Sequence, residues 1–180
     1  MTKLLVLDLD QTLIDSSRRE NLSFFRDNLD LTHYQKQKHD NVLGIESDSV
    51  LPLGELLENF VLTCPFVVVT SREFEAVDFD VLGRLIPNIM VNARIVINRN
   101  NCHLFGGDRC EQSSGNYKRP IFQWLENYYQ KKLVVIDDCP KVLQAARLDN
   151  NQAICARDLW HMTEADIMRT LEIAFFGLLS

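Results

Sequence analysis

The sequence predicts an α/β fold with three layers: a central, mostly parallel sheet between two layers of helix. Three short runs, residues 4–7, 65–69 and 133–136, are apolar and rich in branched side chains. That is the pattern of strands buried on both faces. Helical patterns separate them, at residues 53–60, 120–129 and 141–148. Strands alternating with helices build a parallel sheet covered on each side, a Rossmann-like sandwich. In such sheets ligands bind beyond the carboxyl ends of the strands. Asp8, Asp10, Thr70, Asp137 and Asp138 all follow strand ends here.

The first strand, Leu4-Leu5-Val6-Leu7, runs into Asp8-Leu9-Asp10-Gln11-Thr12. Side chains two apart on a strand point the same way, so Asp8 and Asp10 converge. Two like charges at a buried strand end are costly unless a cation or a proton relieves them. Residues 16–50 follow as a polar, partly helical insertion, expected to form a flap or small cap. It sets Phe24, Phe25 and Tyr34 among Arg18, Arg19, Arg26, Lys36 and Lys38. Two readings stand for this stretch: an electrostatic guide for anionic substrates, or a solvated helical face. For its aromatics, packing onto the body is the better reading.

After the 53–60 helix, the second strand ends in Thr70-Ser71. Further on, Arg94-Ile95-Val96-Ile97 and His103-Leu104-Phe105 bracket Asn98-Arg99-Asn100-Asn101, which predicts a β-hairpin with a polar turn. Lys118 stands just before the 120–129 helix. Lys131 and Lys132 precede the third strand and belong at the opposite edge of the sheet. That third strand ends in Asp137-Asp138, a second acidic strand end. The two together suggest one shared site, most simply a hard divalent cation with oxygen ligands. Asp137-Asp138 can also cap the helix that begins near Pro140, and both roles can coexist. At the C-terminus, Thr163-Glu164-Ala165-Asp166 resembles a capping box with Asp in place of Glu. The apolar run 173–179 is expected to pack on its own sheet rather than on a partner or a membrane.

With 180 residues, 46% of them hydrophobic, residues 1–180 are expected to form a single domain carrying the small insertion. A net charge of −6 argues against non-specific nucleic-acid binding. The five cysteines form no C-x-x-C pair, and an odd number cannot all pair internally. Reduced thiols and a cytoplasmic location are expected. Cys102, His103 and Cys110 fit no structural zinc spacing. Neither a secretory segment nor a membrane span is legible in the sequence.

Asp8-Leu9-Asp10-Gln11-Thr12 after an apolar strand resembles the first motif of the haloacid dehalogenase-like (HAD) hydrolase superfamily. Val67-Val68-Val69-Thr70 is similar to its second motif, Lys118 to its third and Val134-Val135-Ile136-Asp137-Asp138 to its fourth. The resemblance runs from Leu4 to about Leu148. It implies a phosphatase that depends on magnesium and acts through an aspartyl-phosphate. Asp8 is then the nucleophile, and Asp10 the general acid and base. Thr70 binds a phosphate oxygen with help from the backbone N–H groups of Ser71 and Leu9, while Lys118 neutralises charge. Magnesium would be held by Asp8, by the main-chain carbonyl of Asp10 and by Asp138. Asp137 would pair with Lys118, and the Thr12 hydroxyl would brace the loop after the first strand. The insertion looks too small for a full cap domain. The resulting open site, and the wording around Asp8, favour a large phosphorylated substrate such as a phosphoprotein, a phosphotyrosine protein among them. A nucleotide or polynucleotide end is the alternative, and a binding protein that has lost turnover is the alternative of another class. Asp137-Asp138-Cys139-Pro140 departs from the superfamily's protein phosphatases, whose fourth motif has Asn in second place.

Overall fold

The computed structural model describes residues 3–17, 47–59 and 64–176. In chain order the strands are β1 (Leu4–Leu7), β2 (Ile14–Asp15), β3 (Ser49–Val50), β4 (Phe66–Val69), β5 (Val96–Ile97), β6 (Leu133–Asp137) and β7 (Gln152–Cys155). The helices are α1 (Pro52–Asn59), α2 (Ala76–Leu85), α3 (Pro87–Asn92), α4 (Ser114–Tyr129), α5 (Pro140–Leu148), α6 (Ala156–Leu159) and α7 (Glu164–Phe176). Five strands form one parallel sheet in the order β5-β4-β1-β6-β7. β1 is therefore central, flanked by the two strands that end in Thr70 and in the acidic pair.

Alternation along the strands sorts the core into two halves. Leu5, Leu7, Phe66, Val68, Val134 and Ile136 face one helical layer, which includes α1 and α7. Leu4, Val6, Val67, Val69, Leu133 and Val135 face the other, with Tyr117, Ile121, Phe122 and Leu125 of α4 and Val142 and Ala146 of α5. This is the three-layer sandwich the sequence predicts. The C-terminal helix belongs to it: Ile167, Leu171 and Ala174 of α7 are buried. The Thr163 hydroxyl oxygen accepts the Asp166 N–H at 3.3 Å and the hydroxyl donates to the Asp166 carboxylate at 2.7 Å, which ties down the first turn of α7 as the capping reading expects.

Three expectations are corrected. The β-hairpin is absent: Val96 and Ile97 pair with Val68 and Val69 as a parallel edge strand, and Cys102–Phe105 is a 3₁₀ turn. The asparagines are the cause. Asn101 donates to the Val96 carbonyl at 2.9 Å and accepts the Asn98 N–H at 2.9 Å, and Asn98 accepts the Asn100 N–H at 2.8 Å. Side chains thus saturate the turn's backbone groups and leave the segment no need of a ladder. The helix expected to open at Pro120 starts at Ser114, so Lys118 lies inside it. Pro120 removes one N–H without ending the helix. The third correction concerns Thr12. Its hydroxyl is buried without a hydrogen-bond partner among the described residues, while the loop is held by backbone bonds from Thr12, Leu13 and Ile14 to the Leu9 carbonyl.

Of the expected insertion, residues 16–17 and 47–50 are among the described residues; β3, at its end, pairs with β2, just before its start. The aromatic and basic side chains read in 18–39 lie outside the described residues, as does 177–179. No helix among the described residues is long and apolar enough to cross a membrane.

Candidate active site

Asp8 is the first residue past β1, and its N–H donates to the Ile136 carbonyl of β6 at 3.0 Å. The alternation that points Val6 and Val135 towards α4 continues into Asp8 and Asp137. Both acids meet Lys118 in that layer. The Lys118 Nζ lies 2.6 Å from Asp8 Oδ1 and 2.7 Å from Asp137 Oδ2. All three side chains are buried. Asp137 Oδ1 accepts the Cys139 N–H at 2.8 Å, so the same acid fixes the turn into α5. Asp138 is half-buried and pairs with Arg157 at 2.8 Å. Even so, carboxylate oxygens of Asp8, Asp137 and Asp138 lie within 4.8 Å of one another.

One ammonium between two buried carboxylates leaves negative charge uncompensated. Burial raises the Asp8 carboxyl well above its ordinary range, and the Asp137 charge adds to this while Lys118 opposes it. Burial likewise raises Asp137. Burial works against the charge on Lys118, but Asp137 and Asp8 overcome it and hold its ammonium above the usual lysine range. A hard divalent cation fits this donor set: three carboxylates, closely grouped, with charge to spare.

Thr70 ends β4. Its hydroxyl oxygen accepts the Arg72 N–H at 3.0 Å, and its carbonyl accepts the Tyr117 hydroxyl at 3.2 Å. The Ser71 hydroxyl is buried without a partner among the described residues. Asp10 lies two residues beyond Asp8, and its carboxylate goes to Arg72 rather than to the acidic group. Arg72 Nε donates to Asp10 Oδ2 at 3.1 Å and its Nη2 to Asp10 Oδ1.

Sequence reasoning missed Arg72. The signal was a basic residue two places after the strand end, but its partners Asp48 and Asp78 sit in the insertion and in an unrecognised helix. It also missed Arg157, because β7 is an edge strand with an exposed Gln152 and little apolar signal. Arg99 was read as a turn residue. It donates from Nε to the Ser71 carbonyl at 2.8 Å and from Nη1 to the carbonyls of Arg109 and Glu111, with its guanidinium 4.6 Å from the centre of the Tyr117 ring. It thereby pins the 106–113 loop beside the site. No thiol joins the acidic group, and all five cysteines are free.

The family model of the bacteriophage T5 5′-deoxynucleotidase matches residues 1–175. The chain belongs to this family. Solved structures show the same fold. A HAD-like hydrolase from Streptococcus pneumoniae superposes with a TM-score of 0.60 at 14% identity, covering 95% of this chain and 98% of that one. CbbY from Rhodobacter sphaeroides, solved with phosphate, gives 0.56 at 13% identity over 86% of each chain. A HAD-family enzyme from Bacteroides thetaiotaomicron, solved with magnesium and inorganic phosphate, gives 0.55 at 9% identity over 86% of this chain and 94% of that one. Comparison with curated proteins gives no match. The 5′-deoxynucleotidase family member is thus a HAD-like hydrolase in fold, as its motifs imply.

Proposed function

We propose that the protein is a magnesium-dependent phosphatase of 5′-deoxynucleoside monophosphates. One observation carries the reading: buried Asp8, bonded to Lys118 at 2.6 Å and grouped with Asp137 and Asp138, lies in a chain whose residues 1–175 match a deoxynucleotidase family. The nucleotide alternative of the sequence thus becomes the leading one.

Each residue then has a chemical task. Asp8 attacks phosphorus, forming an Oδ–P bond as the P–O5′ bond breaks. Asp10 gives its proton to the departing 5′ oxygen. It then takes one from the water that attacks the aspartyl-phosphate, and the Oδ–P bond breaks to release phosphate. Lys118 offsets charge on Asp8 and on the transferring group, and the Thr70 and Ser71 hydroxyls donate to phosphate oxygens. Asp8, Asp137 and Asp138 would hold magnesium, with the Asp10 carbonyl that the family resemblance implies. When bound, magnesium lowers the repulsion between carboxylate and phosphate.

The test is initial-rate hydrolysis of 5′- and 3′-deoxynucleotides, ribonucleotides, 3′-phosphorylated oligonucleotides and phosphotyrosine, phosphoserine and phosphothreonine peptides, with magnesium and with EDTA. Magnesium-dependent turnover greatest on 5′-deoxynucleotides is expected. Preference for a phosphopeptide would restore the phosphoprotein reading, and turnover of none would leave a binding protein.

A further inference from the structure

Arg72 is almost wholly buried and meets three carboxylates. Its Nε and Nη2 take both oxygens of Asp10. Its Nη1 donates to Asp78 Oδ1 at 2.8 Å, and Nη2 also lies 3.4 Å from Asp48 Oδ2. Asp78 is itself anchored, since its other oxygen accepts the Glu75 N–H at the start of α2 at 3.0 Å. Asp48 immediately precedes β3, where the insertion returns to the body. The guanidinium is thus clamped from two elements, and its Nε–Nη2 fork grips a third side chain, the partly exposed Asp10.

From this geometry we propose that Arg72 is the positioning residue that aims Asp10 at the leaving-group oxygen. The proposal rests on the phosphatase reading of Asp8 and Asp10. A carboxylate has about four acceptor sites, so a planar fork fixes both oxygens in one plane without using every site. Lysine has the charge but not the fork. It cannot hold both oxygens in one plane from a fixed stem.

The leaving group separates positioning from mere support. A deoxynucleoside alkoxide needs Asp10's proton to depart. p-Nitrophenolate does not, although the second step, attack of water on the aspartyl-phosphate, still needs Asp10 as base. Arg72→Lys is therefore expected to lower kcat/KM on a 5′-deoxynucleotide by about 100-fold. With p-nitrophenyl phosphate it should still release a rapid burst of one p-nitrophenolate per site, at close to the unaltered rate, followed by slow turnover. Asp10→Asn should give the same pattern, and adding Arg72→Lys to it should change little more.

Equal losses of kcat/KM on the two substrates, a burst that shrinks with the nucleotide rate, or full additivity with Asp10→Asn would overturn the proposal. Should Arg72→Lys fail to fold, Asp78→Asn takes its place. Asn keeps an acceptor for the Glu75 N–H but releases one side of the clamp, so a smaller shift in the same direction is expected, and its absence in folded protein overturns the proposal. An unaltered protein that hydrolyses neither substrate overturns the phosphatase function and this proposal with it. Turnover by the unaltered protein leaves the variants alone to decide.

Discussion

Asp8 is held by Lys118 yet shares that ammonium with Asp137, so the buried trio carries a surplus negative charge. Because the folded-state value of Asp8 is raised by burial and then by Asp137, its ionisation works against folding. The cost begins as pH rises through the ordinary carboxylate range and is complete above the raised value. Asp8→Asn removes that charge while leaving Lys118 paired with Asp137. Hydrolysis should be abolished, and the unfolding midpoint in EDTA at neutral pH should rise by about 2–6 °C, as for a gain of about 1–2 kcal/mol. Thermal melts beside activity assays check both halves, and a fall in the midpoint would contradict the surplus-charge account. Lys118→Met should do the opposite, costing about 3–5 kcal/mol because two buried carboxylates lose their counter-charge. Denaturant titration reads that loss. At this scale Asp8 and Asp10 were legible because acid after a buried apolar run is expensive and needs a reason. Arg72 was not, because its meaning lies in Asp48 and Asp78, which only the fold brings to it.

The strands β1, β4 and β6 were legible for the same reason that they are central: burial on both faces leaves an unbroken apolar run. The edge strands were not. β5 has two residues and β7 a half-exposed pattern, so neither rises above a loop in sequence. Helix α4 was read short because Pro120 looks like a first-turn residue, whereas the chain had already turned helical at Ser114. Its early start matters, since it brings Gly115 against α5. A Cβ on Gly115 would lie 2.7 Å from the Lys141 carbonyl oxygen and 3.0 Å from its carbon. Backbone cannot swing aside as a side chain can, so Gly115→Ala must push α4 outward and move Lys118 with it. A loss of about 1–3 kcal/mol is expected, with kcat falling more than KM changes. Gly83 in α2 is the contrast, with nothing within 4 Å of its would-be Cβ. Gly83→Ala should stabilise by about 0.5–1 kcal/mol and leave kcat alone. Parallel melts and steady-state kinetics on the two variants test whether helix contact, rather than helix propensity, governs the site.

Across the whole molecule, the carboxyl end of the sheet gathers Asp8, Asp10, Asp48, Asp78, Asp137 and Asp138 around Lys118, Arg72 and Arg157. Among the described residues this end brings together six acids and three bases. A fold that concentrates acid at one end gains stability from any cation bound there, because the cation binds the folded arrangement and not the open chain. At about 10 mM magnesium and a dissociation constant near 1 mM, the gain would be about 1.4 kcal/mol, a rise in unfolding midpoint of about 3–6 °C. Proton and metal compete for the same raised carboxyls. Magnesium binding should therefore release protons, and its affinity should weaken as pH falls towards the ordinary carboxylate range. Calorimetry in two buffers of different ionisation enthalpy measures that release directly. Asp138→Asn should reduce both the thermal shift and the proton release, while Asp149→Asn, on the surface beside Arg119, should change neither. A magnesium response that survives Asp138→Asn unchanged would place the cation elsewhere.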